Sequence, residues 1–162
     1  MKFKELELKG VLLFELEKNS DDRGYFIEIM REKFLNVHFV QVNHSFSRKN
    51  VIRGLHFQKP PKEQSKLIKV ISGKILDVVV DLKNLKYIMI ELDENKALFI
   101  PKGYAHGFLA LEDTHLIYLV DEYYDPNYES GIIYNDKILN IPWPIENPIL
   151  SEKDKKLPSL II

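Results

Sequence analysis

From about Val40 onward, short runs of Val, Ile, Leu, Phe and Tyr are separated by clusters of turn-forming residues, the pattern of an all-β sandwich or barrel. The clearest strand covers residues 74–82, where Leu76, Val78, Val80 and Leu82 share one face and Asp77 and Asp81 fall on the other. Residues 66–71 precede it across Ser72-Gly73, and the positive φ that glycine tolerates suggests a tight hairpin there. Further strands are predicted at 52–58, 87–92, 97–100, 107–111, 116–122 and 131–135, with breakers such as Lys59-Pro60-Pro61 and Pro101-Lys102-Gly103 between them. Only residues 31–37 carry a helical pattern. So many short strands with so little helix predict a double-sheet jelly roll or related barrel, which protects its sheet edges and encloses a pocket.

A length of 162 residues fits one domain, taken as residues 1–162. The 23 basic and 24 acidic side chains leave a net charge of -1, which offers no broad footprint for a nucleic-acid backbone and argues against such a partner. With no Cys there is no disulfide framework and no thiolate metal site, which fits a cytoplasmic setting. Residues 1–10 lack the apolar core of a signal peptide, and no run approaches the roughly 18 apolar residues of a spanning helix, so a soluble protein without a membrane partner is expected.

Two of the five histidines stand in distinctive settings. His56 lies in the strand-like run Val51-Ile-Arg-Gly-Leu-His-Phe-Gln58, where a flanked imidazole either satisfies its nitrogens locally or serves a site. His106 follows a Pro-x-Gly turn in Ile100-Pro-Lys-Gly-Tyr-Ala-His-Gly-Phe108, which delivers its side chain at the start of a strand. His38, His44 and His115 read as surface or packing residues. Pro-x-Gly-x-x-His is also half of the cupin metal motif, whose other half needs His-x-His and a Glu. Here those positions are His56, Gln58 and Glu63, and an amide is a poor ligand for a transition metal, so a metal-free barrel without a cofactor is favoured.

Nine segments in order carry a resemblance: Asp22-Arg-Gly-Tyr-Phe-Ile-Glu28, Gln41-Val-Asn-His-Ser45, Arg53-Gly-Leu-His-Phe-Gln58, Gln64-Ser-Lys-Leu67, Asp77-Val-Val-Val-Asp81, the Ile100 to Phe108 segment, Tyr123-Tyr-Asp-Pro126, Tyr134-Asn-Asp136 and Ile141-Pro-Trp-Pro144. Together they resemble the dTDP-4-dehydrorhamnose 3,5-epimerase (RmlC-type) family from about Asp22 to Pro158. The resemblance implies a cupin double-stranded β-helix, or jelly roll, with few short helices. It also implies a homodimer, no required metal, and a nucleotide-linked 4-keto-6-deoxyhexose as substrate. It places the base on His56, its orienting carboxylate on Asp154, the tyrosine acid on Tyr118 and a conserved lysine on Lys66. Substrate contacts fall on Arg23, Phe26, Glu28, Gln41, Asn43, Arg53, His106 and Tyr124.

The chemistry of these residue types fits such roles. A carbon acid beside a ketone ionises only when charge on the ketone oxygen is stabilised, which an ammonium in a water-poor pocket achieves. Neutral imidazole is a competent base near pH 7, and a carboxylate on its far nitrogen fixes the tautomer. Inversion needs a donor on the opposite ring face, and a phenol qualifies. Arg23 and Arg53 suit diphosphate oxygens, and Phe26 suits stacking on a base with Glu28 and Gln41 around it. Taken one at a time, without the motif positions, Tyr118 reads as core and Arg53, Lys66 and Asp154 as ordinary surface residues.

Two departures from the family pattern stand out. The segment between Leu82 and Ile100 is shorter than usual and lacks a Ser-x-Thr-(Phe/Tyr)-Gly-like motif, and Lys83 stands where an Arg is usual. Other readings stay open at this point: a relative acting on another nucleotide-linked 4-keto sugar or on one carbon only, a metal-dependent cupin oxygenase, and a non-catalytic sugar-binding cupin.

Overall fold

In the computed structural model, which describes residues 2–160, the two-residue period of the pattern becomes strands in two opposed antiparallel sheets and one small hairpin. The first sheet orders β1 (Lys2–Glu5), β2 (Leu12–Glu15), β10 (Lys96–Ile100), β7 (Lys66–Ser72), β12 (Thr114–Val120) and β5 (Gln41–Ser47). The second orders β13 (Glu129–Gly131), β6 (Ile52–Gln58), β11 (Tyr104–Ala110), β8 (Ile75–Asp81) and β9 (Lys86–Leu92). A separate hairpin pairs β3 (Lys18–Asp21) with β4 (Gly24–Ile27), and a one-turn helix, α1 (Glu152–Lys155), lies near the C-terminus. This is the expected jelly roll. Among the described residues no helix is long and apolar enough to cross a membrane.

Three apolar clusters hold the sheets. Leu13, Ile68, Val70, Ile75, Val79, Leu98 and Leu116 come from both sheets and fill one end of the space between them. Leu55, Val78, Val80 and Ala105 cover the outer face of the second sheet and lie under Ile132, Leu139 and Ile141. Phe14, Leu67 and Phe99 cover the outer face of the first, under Ile29, Met30, Leu35, Val37 and Phe39. Full burial of an aliphatic side chain of this size stabilises by roughly 1.5–3 kcal/mol, so the packed end is rigid and the opposite end is free to stay hollow.

Two expectations are corrected. Residues 31–37 form no α-helix, only a 3-10 turn at Glu32–Phe34. Leu35, Val37 and Phe39 instead pack at two-residue spacing onto the first sheet, a period that extended chain provides and helix does not. The predicted hairpin at Ser72-Gly73 is a crossover: β7 pairs with β10 and β12, whereas β8 pairs with β9 and β11. The face of β8 that carries Asp77 is the barrel interior, and Asp77 is fully buried.

Gly73 sits at φ +103 at this crossover, where a Cβ would come within 2.5 Å of the Asp113 carbonyl oxygen. Gly24, in the turn of the small hairpin, has φ +132 but open space around it. Both positions strain an L-residue, but only Gly73 adds a backbone clash. Gly73→Ala is therefore expected to cost clearly more than the roughly 1–3 kcal/mol of an unfavourable φ alone, and more than Gly24→Ala, in urea denaturation. Equal losses from the two substitutions would remove the crossover from the account.

Candidate active site

The hollow end of the barrel is a cavity of about 440 Å³. Each wall belongs to a different sheet. From the second sheet β6 supplies Arg53 and His56, and His56 pairs with His106 on β11. From the first sheet β5 supplies Gln41 and Asn43, β7 supplies Lys66, and β12 supplies Tyr118 opposite Asn43. Asp154 reaches the cavity on α1, whose N-cap Ser151 accepts from the Asp154 N–H at 3.0 Å. Tyr124 stands at the mouth.

His56 and Asp154 form a dyad. His56 Nε2 lies 2.6 Å from Asp154 Oδ1, while Asp154 Oδ2 accepts from the Gly54 N–H at 3.1 Å. Burial opposes ionisation of Asp154, but the His56 and Gly54 contacts outweigh it and hold the carboxyl below its ordinary range. An acceptor at Nε2 puts the imidazole proton there and leaves the Nδ1 lone pair free. Gly54 and Gly107 allow the close approach of β6 and β11 behind this pair: a Cβ on Gly54 would lie 2.6 Å from Gly107 Cα.

A second imidazole–carboxylate pair lies deeper. His106 Nε2 is 2.6 Å from Asp77 Oδ1, and Asp77 Oδ2 has no partner among the described residues. Burial raises the Asp77 carboxyl above its usual range despite His106. Burial lowers the Lys66 ammonium to about 8, against the opposing pull of Asp77 and Glu129. The Lys66 ammonium stands 5.9 Å from the centre of the Tyr118 ring. Burial also raises the Tyr118 phenol, with Arg53 and Asn43 working in the other direction, so it stays protonated at neutral pH.

The mouth is set by polar contacts between sheets. Arg53 donates to Ser47 Oγ at 2.8 Å and to the Phe46 carbonyl at 2.9 Å, bridging β6 to β5. Gln41 donates to Asn43 Oδ1 at 3.0 Å and accepts from the Tyr124 N–H at 3.0 Å. The Tyr124 hydroxyl donates to Glu129 Oε2 at 2.7 Å, and Lys153 pairs with the same carboxylate.

Nine of the twelve residues singled out from the sequence therefore line one cavity. Arg23, Phe26 and Glu28 do not. They lie on or just beyond the β3–β4 hairpin, where Phe26 is 71% exposed, Arg23 pairs with Asp21 and Glu28 with Arg31. Glu63 is also absent from the cavity wall, and the Gln58 amide is spent on the Lys62 and Tyr123 carbonyls and the Asp125 N–H. His56, His106 and Glu63 thus do not converge as a ligand set. The shortened segment is remote as well, since no residue from 82 to 99 lines the cavity.

Residue-level reading had given no role to Asp77, Glu129 or Lys153. For Asp77 a signal existed, a carboxylate inside a strand of valines. Glu129 and Lys153 had none, because each reaches the cavity through tertiary placement of a three-residue strand and a one-turn helix.

The chain also matches known proteins along nearly its whole length. The family model described as dTDP-4-dehydrorhamnose 3,5-epimerase matches residues 5–161. The chain is 44% identical to the dTDP-4-dehydrorhamnose 3,5-epimerase of Methanothermobacter thermautotrophicus, over 95% of this chain and 91% of that one. The crystal structure of the Bacillus anthracis str. Ames enzyme with TDP and PPi bound superposes with a TM-score of 0.93 at 43% identity, covering 98% and 99% of the two chains. The Legionella pneumophila RmlC structure in complex with dTDP-4-keto-L-rhamnose superposes with a TM-score of 0.90 at 32% identity, covering 98% and 92%. These matches along nearly its whole length show that the chain belongs to the dTDP-4-dehydrorhamnose 3,5-epimerase family.

Proposed function

We propose that this chain inverts C3 and C5 of dTDP-4-dehydro-6-deoxy-D-glucose by removing and returning protons beside the C4 ketone, without metal or cofactor. The observation that carries the proposal is the placement of base and acid on opposite walls: His56 on the second sheet and Tyr118 on the first, with the cavity between them. His56 Nδ1 takes the carbon-bound proton and becomes imidazolium, stabilised by Asp154. The electron pair moves to the ketone oxygen, where the Lys66 ammonium offsets the charge in a desolvated site. Tyr118 then gives its phenolic proton to the opposite face of the ring, and exchange with solvent restores both side chains.

Arg53 and His106 hold the substrate in the cavity, and Gln41, Asn43 and Tyr124 line its mouth. Arg23, Phe26 and Glu28 stand outside the chain's own cavity on an exposed hairpin, so a substrate-binding role for them requires the mouth of a second copy's cavity. This favours a homodimer in which each hairpin serves the other chain. The Cys-free, single-domain chain of residues 1–162 fits a cytoplasmic enzyme of carbohydrate biosynthesis.

The test is incubation of the chelator-treated enzyme with this substrate in deuterated water, reading C3 and C5 separately. His56→Ala is expected to abolish exchange at both carbons while nucleotide affinity stays within a few-fold, and Asp154→Asn to slow exchange less severely. Exchange at the wild-type rate by His56→Ala would overturn the base assignment, and activity that returns only with a divalent ion would overturn the metal-free chemistry.

Tyr118→Phe separates the two half-reactions. Exchange with retained configuration should persist, because His56 can return a deuteron to the face it deprotonated, while epimerised product falls by about a hundredfold. Full epimerisation by this variant would transfer the donor role to water or Tyr124.

The pH profile reads Lys66. Its ammonium is present below about 8 and lost above it, so kcat/KM should fall as pH rises through that value, and Lys66→Arg should push this limb to higher pH. An alkaline limb unmoved by Lys66→Arg would assign it to another group.

A further inference from the structure

The carboxylate that orients His56 rides on a C-terminal strap. At its start, the Ile149 N–H donates to the Asn50 carbonyl at 2.9 Å and the Ile149 carbonyl accepts from the Ile52 N–H at 3.1 Å. After α1, the Ile133 N–H donates to the Pro158 carbonyl at 2.9 Å. Two residues further, the Leu160 N–H donates to Asp136 Oδ2 at 2.6 Å. The other oxygen of that carboxylate, Asp136 Oδ1, accepts from the Ile138 and Leu139 N–H groups at 2.9 Å each.

Asp136 is 2% exposed and makes no ion pair among the described residues. Its hydrogen bonds all come from backbone N–H groups. A loop cap alone would be served by one oxygen, as Asn or Ser provides. Burying a full carboxylate is costly, and what the second oxygen adds is a charge-assisted bond to a segment 24 residues away.

The strap needs such an anchor. A helix of four residues does not hold itself together in water, so the position of Asp154 depends on what fixes the chain on either side. Leu157 packs against Gly131, where a Cβ would come within 2.8 Å of the Leu157 side chain. Gly131 pairs directly with His56 in the β13–β6 ladder. Asp136, Leu160, Leu157, Gly131 and His56 are thus one connected unit.

We propose that Asp136 is a positioning residue for the epimerisation: by tying down the far end of the strap it keeps Asp154 seated against His56. The inference rests on the reading of His56 and Asp154 as the base pair. Asp154 retains its Ser151 cap and Gly54 contact when Asp136 is changed, so the effect is partial.

The test compares Asp136→Asn, a chain ending at Leu157, Asp154→Asn, and each of the first two combined with Asp154→Asn. In the deuterium-exchange assay, Asp136→Asn and the shortened chain should lose kcat by roughly ten- to a hundredfold with KM within a few-fold, as expected for a misplaced catalytic group. In the Asp154→Asn background they should cause no further loss, since the two changes act through one contact. By proton NMR, the imidazole N–H signal that disappears in Asp154→Asn should also weaken in Asp136→Asn, with the amide spectrum of the barrel preserved. Wild-type kcat in both Asp136→Asn and the shortened chain, or losses that multiply with Asp154→Asn, would overturn the inference. A wild-type rate in Asp154→Asn itself would overturn the dyad instead. If Asp136→Asn does not fold, the shortened chain, whose loop cap is intact, decides.

Discussion

One hydrogen bond across 98 residues of chain organises the site: His56 Nε2 to Asp154 Oδ1 at 2.6 Å. An imidazole on a strand has no intrinsic reason to present a lone pair to a cavity; it does so only when its other nitrogen is claimed from behind. Closing so long a loop costs conformational entropy that a single hydrogen bond does not recover. The closure is made possible by the strap's backbone pairing at Ile149 and Pro158 and by the packing of Leu157 on Gly131. The dyad is therefore a product of the whole second sheet and not of its two residues.

The same dependence explains which parts of the fold were legible. Strands β6 to β12 showed in the chain because one or both faces are buried, or in β9 partly buried, which favours the two-residue period. β1, β3 and much of β4 are exposed along their length, so no apolar pattern marks them. The crossover at Gly73 read as a hairpin because local turn chemistry is the same for both. What separates them is that β12 approaches the glycine so closely that Thr114 and Asp113 exclude a side chain, a contact 40 residues away in sequence.

Site residues divide along a similar line. Lys66, His106 and Tyr118 sit on strands whose alternation aims them at the cavity, His56 lies beside a register shift in β6, and motif spacing identified all four. The same alternation separates Asp77 from Val78 and Val80 of its strand but does not say which face is the interior; His106 and burial do. Gln58 shows the converse. It occupies a position where a metal-binding cupin carries a ligand, yet its amide ties the Lys62, Tyr123 and Asp125 segments together at the cavity mouth. The motif position survives with a structural task in place of a chemical one.

Electrostatics gives a reason for the proposed base and acid to stand on separate walls. A base and an acid placed side by side would exchange a proton with each other rather than with a substrate. Here Asp154 holds a charge-accepting environment behind His56, while burial raises Tyr118 and lowers Lys66 on the facing sheet. The phenol thus stays protonated at neutral pH, as the proposed transfer to an enolate needs, and the ammonium is poorly solvated and responsive to new negative charge. Desolvation of these groups destabilises the folded chain, which is tolerable because the sheets that carry them are held by apolar clusters on both outer faces and at the closed end. The rigidity that keeps the two walls apart comes from those clusters, so the spacing that the proposed inversion needs is set largely by apolar side chains outside the proposed base and acid.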